Sequence, residues 1–268
     1  MKNPPDNSQV EKTDCTGHPV IGNTALHRSI KSDLFSILLP ELKKLSPYFN
    51  IDTVCSMLNE KGIEIKGGTL RRYMSDAMAE GVVYDAGRGW YSRIKTKFEF
   101  DRKPVSKIVK LLEKEFPLLE FTCWSTQQIN PWMHHLLAKF ITFVNVEKDG
   151  MSAVADVLRG AGYMVHLNPG VNRADEVLPN GKTVVVRPLV TIAPREAHNS
   201  PPEGVLVDLF MENKVLNIMG KGEYRDMAIN LASTSRISWG SLLYYAGKRE
   251  ISQADMFGEN NALLQELP

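Results

Sequence analysis

The chain has 268 residues, of which 43% are hydrophobic and 24% charged, and its formal net charge is +1. This composition is typical of a folded globular protein and excludes a disordered or fibrous chain. No apolar run reaches the roughly 18 residues that a membrane span needs, so no span is predicted. Residues 1–31 are polar and lack the apolar core of a signal peptide. We therefore expect a cytoplasmic protein with a flexible tail over residues 1–31.

Positive charge is concentrated in one window of the sequence. Residues 61–110 contain twelve Lys or Arg and six Asp or Glu, a net charge of +6, so the remainder of the chain is acidic. Such asymmetry favours a polyanionic partner for this window. An ordinary solvated surface is the alternative interpretation.

Three helices are predicted early in the chain. The segment SDLFSILLPELKKL has Ser32 as a plausible N-cap and one broad apolar face. NIDTVCSMLNEKG is capped by Asn50 and ends at Gly62. GTLRRYMSDAMAEG runs from Thr69 to Gly81, with apolar residues at the helical period of about 3.6.

A short β-hairpin follows the third helix. In EGVVYDAGRGWYS the β-prone runs VVY and WYS flank a tip that contains Gly87, Arg88 and Gly89. Glycine adopts backbone conformations that other residues resist, so the tip can be tight. Three helices followed by a hairpin within about 60 residues predict a winged helix-turn-helix domain over residues 32–93.

This arrangement predicts a surface that binds duplex DNA. Arg71 and Arg72 lie in the first turn of the third helix, where base edges and phosphates would lie if the helix entered the major groove. The partial positive charge of the helix N-terminus favours phosphate as well. Arg88 at the wing tip would reach a phosphate or the minor groove. The predicted DNA-binding residues are Lys66, Thr69, Arg71, Arg72, Ser75 and Arg88.

A protein-docking module is the alternative for the same domain. Helical units with a hairpin also serve as protein-interaction modules that bind no DNA. Arg72 and Asp76 are spaced i, i+4 and would then pair on a solvated face.

The remainder of the chain predicts an α/β domain. Residues 94–103 are charged and irregular and are assigned as a linker, residues 104–252 as the domain and residues 253–268 as a C-terminal tail. Strands and helices alternate from residue 118 onward, which predicts a mixed α/β domain with a central sheet, parallel strand pairs and closing C-terminal helices. The predicted strands are LLEFTCW, FITFVNVE, YMVHLNP, KTVVVRPLVTI and GVLVDLFME. The predicted helices are PVSKIVKLLEKEF, TQQINPWMHHLLAK, GMSAVADVLRGAG, EYRDMAINLASTS and SWGSLLYYAGKRE.

Few residues suggest catalysis, and no enzyme activity, metal or cofactor is predicted. The three cysteines form no CxxC pair, and no HExxH or GxSxG segment occurs. One alternative is a magnesium-dependent nuclease. On a continuing strand Asp208, Glu212 and Lys214 would share one face, where two carboxylates and a lysine could hold Mg²⁺ and a water for phosphodiester cleavage.

The hairpin region resembles a known family. LRRYMSDAMAEGVVYDAGRGWYS resembles the winged-helix end of AbiE antitoxin-like proteins, the antitoxins of type IV toxin–antitoxin systems that act in abortive phage infection. The blocks FTCWST, FVNVEK, VLVDLF and LLYYAGKRE look like those of a related uncharacterised family with the same two-part build. The positions that fit the antitoxin pattern are Tyr73, Met78, Gly81, Val83, Arg88, Gly89 and Tyr91.

The resemblance implies a bacterial regulator. Such antitoxins bind their own promoter through the N-terminal domain, and the C-terminal domain counters a nucleotidyltransferase-type toxin. The resemblance thus implies double-stranded DNA and such a toxin as partners. It does not fix the oligomeric state. The sequence departs from the expected pattern at Glu203-Gly204, where a Glu-Lys pair would precede VLVDL.

Overall fold

The computed structural model describes residues 30–259 and residue 263, so nearly all of the predicted tail over residues 1–31 lies outside the described residues. The chain divides into two compact units, with the boundary between Lys95 and Thr96. Each unit has its own sheet and its own hydrophobic core.

The first unit is a winged helix-turn-helix, as predicted. Its sheet has the order β1-β3-β2 and is antiparallel throughout. The sequence predicted the hairpin but not β1, which is only three residues long and directly precedes the second helix. The helices and strands of this unit are α1 (Ile30–Leu42), β1 (Tyr48–Asn50), α2 (Ile51–Glu60), α3 (Gly67–Ala79), β2 (Tyr84–Asp85) and β3 (Trp90–Ser92).

Local sequence signals explain where these helices lie. The Oδ1 atom of Asn50 accepts a hydrogen bond of 2.8 Å from the backbone N–H of Thr53, which caps α2 as predicted. The predicted apolar face of α3 is buried at Leu70, Tyr73, Met74 and Ala77. These residues pack with the buried faces of α1 and α2 into one core. Packing of these apolar faces supplies most of the stability of such short helices.

The second unit contains a mixed four-stranded sheet. Its strand order is β4-β5-β7-β6, in which β4 is antiparallel to β5, and β5 and β6 are each parallel to β7. The strands are β4 (Phe121–Ser125), β5 (Ile141–Val146), β6 (Met164–Leu167) and β7 (Thr183–Pro188). The helices are α4 (Ser106–Glu115), α5 (Thr126–Ile129), α6 (Met151–Gly160), α7 (Pro202–Leu216), α8 (Lys221–Thr234), α9 (Trp239–Lys248) and α10 (Gln253–Phe257).

The two faces of this sheet are covered differently. One face carries Phe121, Cys123, Val144 and further valines, and it packs against α4 and α6 in a wholly apolar core. The opposite face carries polar residues of β4, β5 and β7. Helix α7 lies against this face, as the hydrogen bond from Asn145 of β5 to Asp208 of α7 shows. This second face therefore holds the polar chemistry of the unit.

Two segments of the second unit differ from the sequence prediction. GVLVDLFME was predicted as a strand, which is wrong, because it lies within helix α7. Residues 201–210 are all buried, and a helix that is buried on every side shows no helical periodicity. The helix predicted over TQQINPWMHHLLAK ends at Ile129, and Pro131 then opens a 3₁₀ turn, Asn130–Trp132.

The ends assigned to the second domain also differ. Phe98 lies in the segment assigned as a linker, yet it is buried, and its backbone N–H donates to Arg236 at 2.8 Å. The segment from Thr96 onward therefore belongs to the second unit. Within the segment assigned as a C-terminal tail, α10 buries Met256 and Phe257. Across the residues described, no helix combines the length and the apolarity needed to cross a membrane.

Candidate nucleic-acid interface and a charged cavity

The six residues predicted to bind DNA lie on α3 and the wing of the first unit. Arg71, Arg72 and Ser75 are exposed on the side of α3 opposite its buried face. Thr69 is partly buried in the first turn, and Lys66 is the N-cap residue. Arg71 and Arg72 were predicted in the first turn of this helix but lie in its second turn, because α3 begins at Gly67, and Ser75 lies one turn further on, past the middle of α3.

The beginning of α3 leaves backbone donors without a side-chain cap. Lys66 has an extended backbone and makes no capping hydrogen bond through its side chain, and Gly67 and Gly68 follow it. The first N–H groups of a helix need a partner from outside the helix. An anion such as a phosphate satisfies them, and the adjacent cationic side chain adds to the attraction.

The wing tip has the tight backbone that its glycines predicted. Three successive residues have positive φ angles, +82° at Gly87, +40° at Arg88 and +81° at Gly89. The backbone N–H of Trp90 donates to the carbonyl of Gly87 at 2.9 Å and closes the turn. Arg88 is exposed at the tip.

Helix α3 lies close enough to the wing for charges on the two elements to interact. The pKa of Tyr91 in β3 is raised, chiefly by burial and also by the nearby Asp85 carboxylate, whereas the positive charge of Arg71 acts to lower it. Arg71 on α3 is thus close enough to β3 for its positive charge to affect the pKa of Tyr91. None of the ion pairs within the described residues involves Arg71 or Arg72, so the proposed pairing of Arg72 with Asp76 is not formed.

A second candidate site is a cavity of about 230 Å³ in the α/β unit. It lies at the carboxyl ends of the three parallel strands, where open α/β sheets usually bind ligands. Asn145 of β5 and Arg187 of β7 line it, as does Asn168, which directly follows β6. Its remaining polar lining comes from α7 and α9, namely Asp208, Glu212, Tyr245 and Arg249.

One ion pair in this cavity has ideal geometry. Arg187 Nε donates to Glu212 Oε1 at 2.7 Å, and Arg187 Nη2 donates to Glu212 Oε2 at 2.6 Å. Both side chains are nearly buried, at 13% and 12% exposed. Arg187 Nη1 also donates to the carbonyl of Pro169 at 2.6 Å and to Asn168 Oδ1 at 3.1 Å. The hydrogen-bonding capacity of this pair is therefore largely used.

Asp208 is the second buried carboxylate of the cavity. Tyr245 Oη donates to its Oδ1 at 2.6 Å, and Asn145 Nδ2 donates to its Oδ2 at 3.3 Å. Arg249 Nη1 lies 3.4 Å from Oδ1 and donates to Tyr245 Oη at 2.8 Å. Burial raises the pKa of Asp208 to about 6, and the Glu212 charge adds to the rise, whereas Tyr245, Arg249 and Asn145 limit it.

The structure separates the three residues of the nuclease alternative. Asp208 and Glu212 do share one face, because they are spaced i, i+4 on a helix and not because a strand alternates. Lys214 points elsewhere, and its Nζ lies 4.6 Å from the centre of the Phe210 ring. Within the described residues, no three His, Cys, Asp or Glu side chains are grouped to hold a metal ion. No observation favours the nuclease.

The departure at Glu203-Gly204 has a local explanation. A Cβ atom at Gly204 would lie 3.2 Å from the carbonyl oxygen of Pro194, which is a tight contact with backbone. The buried Glu203 carboxylate accepts a hydrogen bond from the backbone N–H of Ser238. Both residues therefore serve packing at the start of α7.

Sequence reasoning missed most of the cavity. It identified Asp208 and Glu212 but not Asn145, Arg187 or Arg249, which come from distant parts of the chain. All four blocks quoted for the resemblance to the uncharacterised family contain residues that line the cavity. FTCWST contains Trp124, FVNVEK contains Asn145, VLVDLF contains Asp208, and LLYYAGKRE contains Tyr245 and Arg249. Those blocks were the available signal, but nothing in one sequence brings them together in space.

The fold and these sites define a two-unit protein, a winged helix followed by an α/β unit with a charged cavity. The chain belongs to a family of unknown function, DUF6577, whose model matches residues 69–256. The match begins within α3 and extends through the wing and α9 into α10. No curated protein matches the sequence.

Proposed function

We propose that this protein is a transcriptional regulator that binds duplex DNA through α3 and the wing. The observation that carries the proposal is the exposed pair Arg71 and Arg72 on α3, next to an uncapped helix N-terminus and beside the wing. The part of the basic window that belongs to this unit, residues 61–95, contains seven Lys or Arg and four Asp or Glu, a net charge of +3 that attracts the phosphate backbone.

Each element has a distinct role in this proposal. The N-terminal half of α3 lies in the major groove, where arginine side chains form paired hydrogen bonds with guanine. Lys66 and the free N–H groups of α3 bind a phosphate, which fixes the position of the helix but reads no sequence. Arg88 contacts the backbone or the minor groove next to the helix.

The narrower proposal is an autorepressor and antitoxin that works in the cytoplasm and has no enzyme activity of its own. Its support is the resemblance at residues 73–91 to AbiE antitoxin-like proteins. In this role the protein binds its own promoter, and the α/β unit counters a nucleotidyltransferase-type toxin. Coexpression with the neighbouring reading frame tests this part, since growth rescue that needs residues 96–259 is the expected result.

The DNA-binding proposal is tested by fluorescence anisotropy with labelled duplex from upstream of the gene. The full chain is expected to bind with a slope of log affinity against log salt of about −3 to −4, because four cations contact phosphates or bases. The double variant Arg71→Ala with Arg72→Ala is expected to bind at least tenfold more weakly and to show a slope shallower by about two.

The matched control is Lys107→Ala with Lys110→Ala. It removes two exposed positive charges from α4, a helix of the other unit. Its affinity should stay within about twofold of the natural protein, since unspecific attraction to the whole surface is small beside direct contacts. If the natural protein shows no salt-dependent binding, or if both pairs weaken it equally, the first unit is a protein-docking module or its interface lies elsewhere.

A further inference from the structure

Two side chains that line the cavity of the α/β unit have hydrogen-bond donors without partners among the described residues. Trp124 lines it, and the indole Nε1 of this fully buried residue has no hydrogen-bond partner within the described structure. Buried donors without partners are rare in native proteins, and each one calls for an explanation. One explanation is a ligand in the cavity whose acceptor atoms pair with this N–H. The same ligand would also pair with the unused donors of Arg249.

Arg249 has unused donors as well. Its Nη1 atom contacts Asp208 and Tyr245, whereas its Nη2 and Nε atoms make no hydrogen bond to any described residue. Its side chain lines the cavity and is 22% exposed, so a ligand can reach it. The unused capacity of the polar wall thus includes a guanidinium edge and an indole N–H, both of which require an acceptor.

The carboxylates of the cavity leave little room for a cationic ligand. Glu212 already accepts two hydrogen bonds from Arg187, and Asp208 accepts from Tyr245 and Asn145. A cation would therefore have to displace existing partners. A ligand that carries hydrogen-bond acceptors would displace no partner, because it would pair with donors that have no partner in the described part of the chain.

The rest of the wall is apolar. Pro188, Val190 and Ala193 after β7, with Met211 and Val215 of α7, complete the lining. Apolar walls with a few convergent polar groups are typical of small-molecule sites. The cavity of about 230 Å³ suits a ligand of modest size with an apolar body.

The balance of charge selects a monoanion. Two arginines and two carboxylates face the cavity, so a ligand with two negative charges, such as a phosphate monoester, would leave two buried negative charges without a partner, whereas the one extra charge of a monoanion can be offset by protonation of Asp208. A single carboxylate adds one charge, and its planar geometry matches the guanidinium edge. We propose that this cavity binds a small organic carboxylate, held by Arg249 and by the Trp124 N–H, with its apolar body against α7 and the loop after β7.

Binding should take up a proton at Asp208. A ligand carboxylate at Arg249 competes for the charge that helps to keep Asp208 ionised. The other groups around Asp208 are the neutral donors Tyr245 and Asn145, the like charge of Glu212, and Arg187, which is already paired. Since the pKa of Asp208 rises further from about 6 in the complex, affinity should increase as the pH falls from 8 to 6.

The test is calorimetric titration of the full chain with benzoate, hexanoate and indole-3-acetate, each beside its neutral amide. At least one carboxylate is expected to bind at least tenfold more tightly than its amide and more tightly at pH 6 than at pH 8. Arg249→Gln should weaken it at least tenfold, as loss of a charged hydrogen bond does. Asp208→Asn, which mimics the protonated acid, should remove the pH dependence.

Two further variants keep the test decisive. Trp124→Phe removes the N–H and retains a ring to stack on Phe143, whose ring centre lies 4.2 Å away. Trp124→Phe should bind the carboxylate several-fold more weakly than the natural protein does. This variant still tests the site if Arg249→Gln does not fold. Lys248→Gln, next to Arg249 but exposed, should bind normally. The inference is overturned if no carboxylate binds better than its amide, if inorganic phosphate binds instead, or if Trp124→Phe and a folded Arg249→Gln both bind normally. The result of this test does not depend on whether the protein binds DNA.

Discussion

At the scale of single residues, Asp208 is the clearest case of an environment that changes chemistry. It is 8% exposed and lies between the sheet and two helices, with the Arg249 guanidinium 3.4 Å away and Glu212 one helical turn further on. Burial opposes the charged form more strongly than these partners favour it, and the pKa rises to about 6.

The pKa of Asp208 predicts how stability depends on pH. In the unfolded chain an aspartate has a pKa of about 3.9, so the folded state holds the proton more tightly. The stabilisation of the folded state by the proton on Asp208 is therefore fully present below about pH 4 and is lost as the pH rises through about 6. Urea unfolding at pH 4 to 7 should show that the natural protein loses about 2 to 3 kcal/mol relative to Asp208→Asn over this range.

A constant difference between the two proteins from pH 4 to pH 7 would contradict this. It would mean that Arg249 and the hydrogen bonds from Tyr245 and Asn145 fully offset the burial of the charge.

Residue patterns predicted which side chains of α3 are exposed better than they predicted which side chains meet in the cavity. Arg71, Arg72 and Ser75 could be placed on one face because helical spacing alone decides which side of α3 they occupy. Arg187 and Arg249 could not be assigned to a cavity, because their partners, Glu212 and Asp208, lie 25 and 41 residues away in sequence. Contacts of this kind depend on the topology of the whole sheet.

At the scale of elements, two errors have physical causes. Helix α7 was taken for a strand because both of its sides are buried, which removes the periodicity that distinguishes helix from strand. Strand β1 was missed because its three residues carry almost no pattern of their own, and it exists only through pairing with β3. Elements with one solvent-facing side, such as α2, α3 and α6, were predicted correctly.

Two glycines of the first unit allow a matched test of the wing geometry. Gly89 has a φ of +81°, and Gly68 lies within α3, while a Cβ atom at either position would meet nothing within 4 Å. Gly89→Ala should therefore lower the free energy of unfolding by about 1 kcal/mol through backbone strain alone. Gly68→Ala should raise it by up to about 1 kcal/mol, since alanine favours the helix.

Chemical denaturation of the two variants measures both effects. Changes of the same sign would show that the wing tip does not have the left-handed backbone described for Gly89, or that Gly68 lies outside the helix.

At the scale of the whole molecule, the two units carry different chemistry. The first presents exposed arginines and a glycine-rich wing, and the second encloses paired charges in a cavity. The order of helices and hairpin was sufficient to predict the winged-helix class of the first unit, but not the pairing of β1 with β3, whose residues lie about 40 positions apart in the sequence. The α/β class of the second followed from alternating segments, but its strand order did not, because β7 inserts between β5 and β6.

The central claim is that α3 and the wing form the surface that contacts DNA, and photo-crosslinking tests it most directly. p-Benzoylphenylalanine in place of Ser75, which is exposed on α3, should crosslink to labelled upstream duplex within the bound site. The same group in place of Ser152, which is exposed on α6 of the other unit, should not. Crosslinks from position 152 with none from position 75, in folded proteins that bind the duplex, would contradict the account.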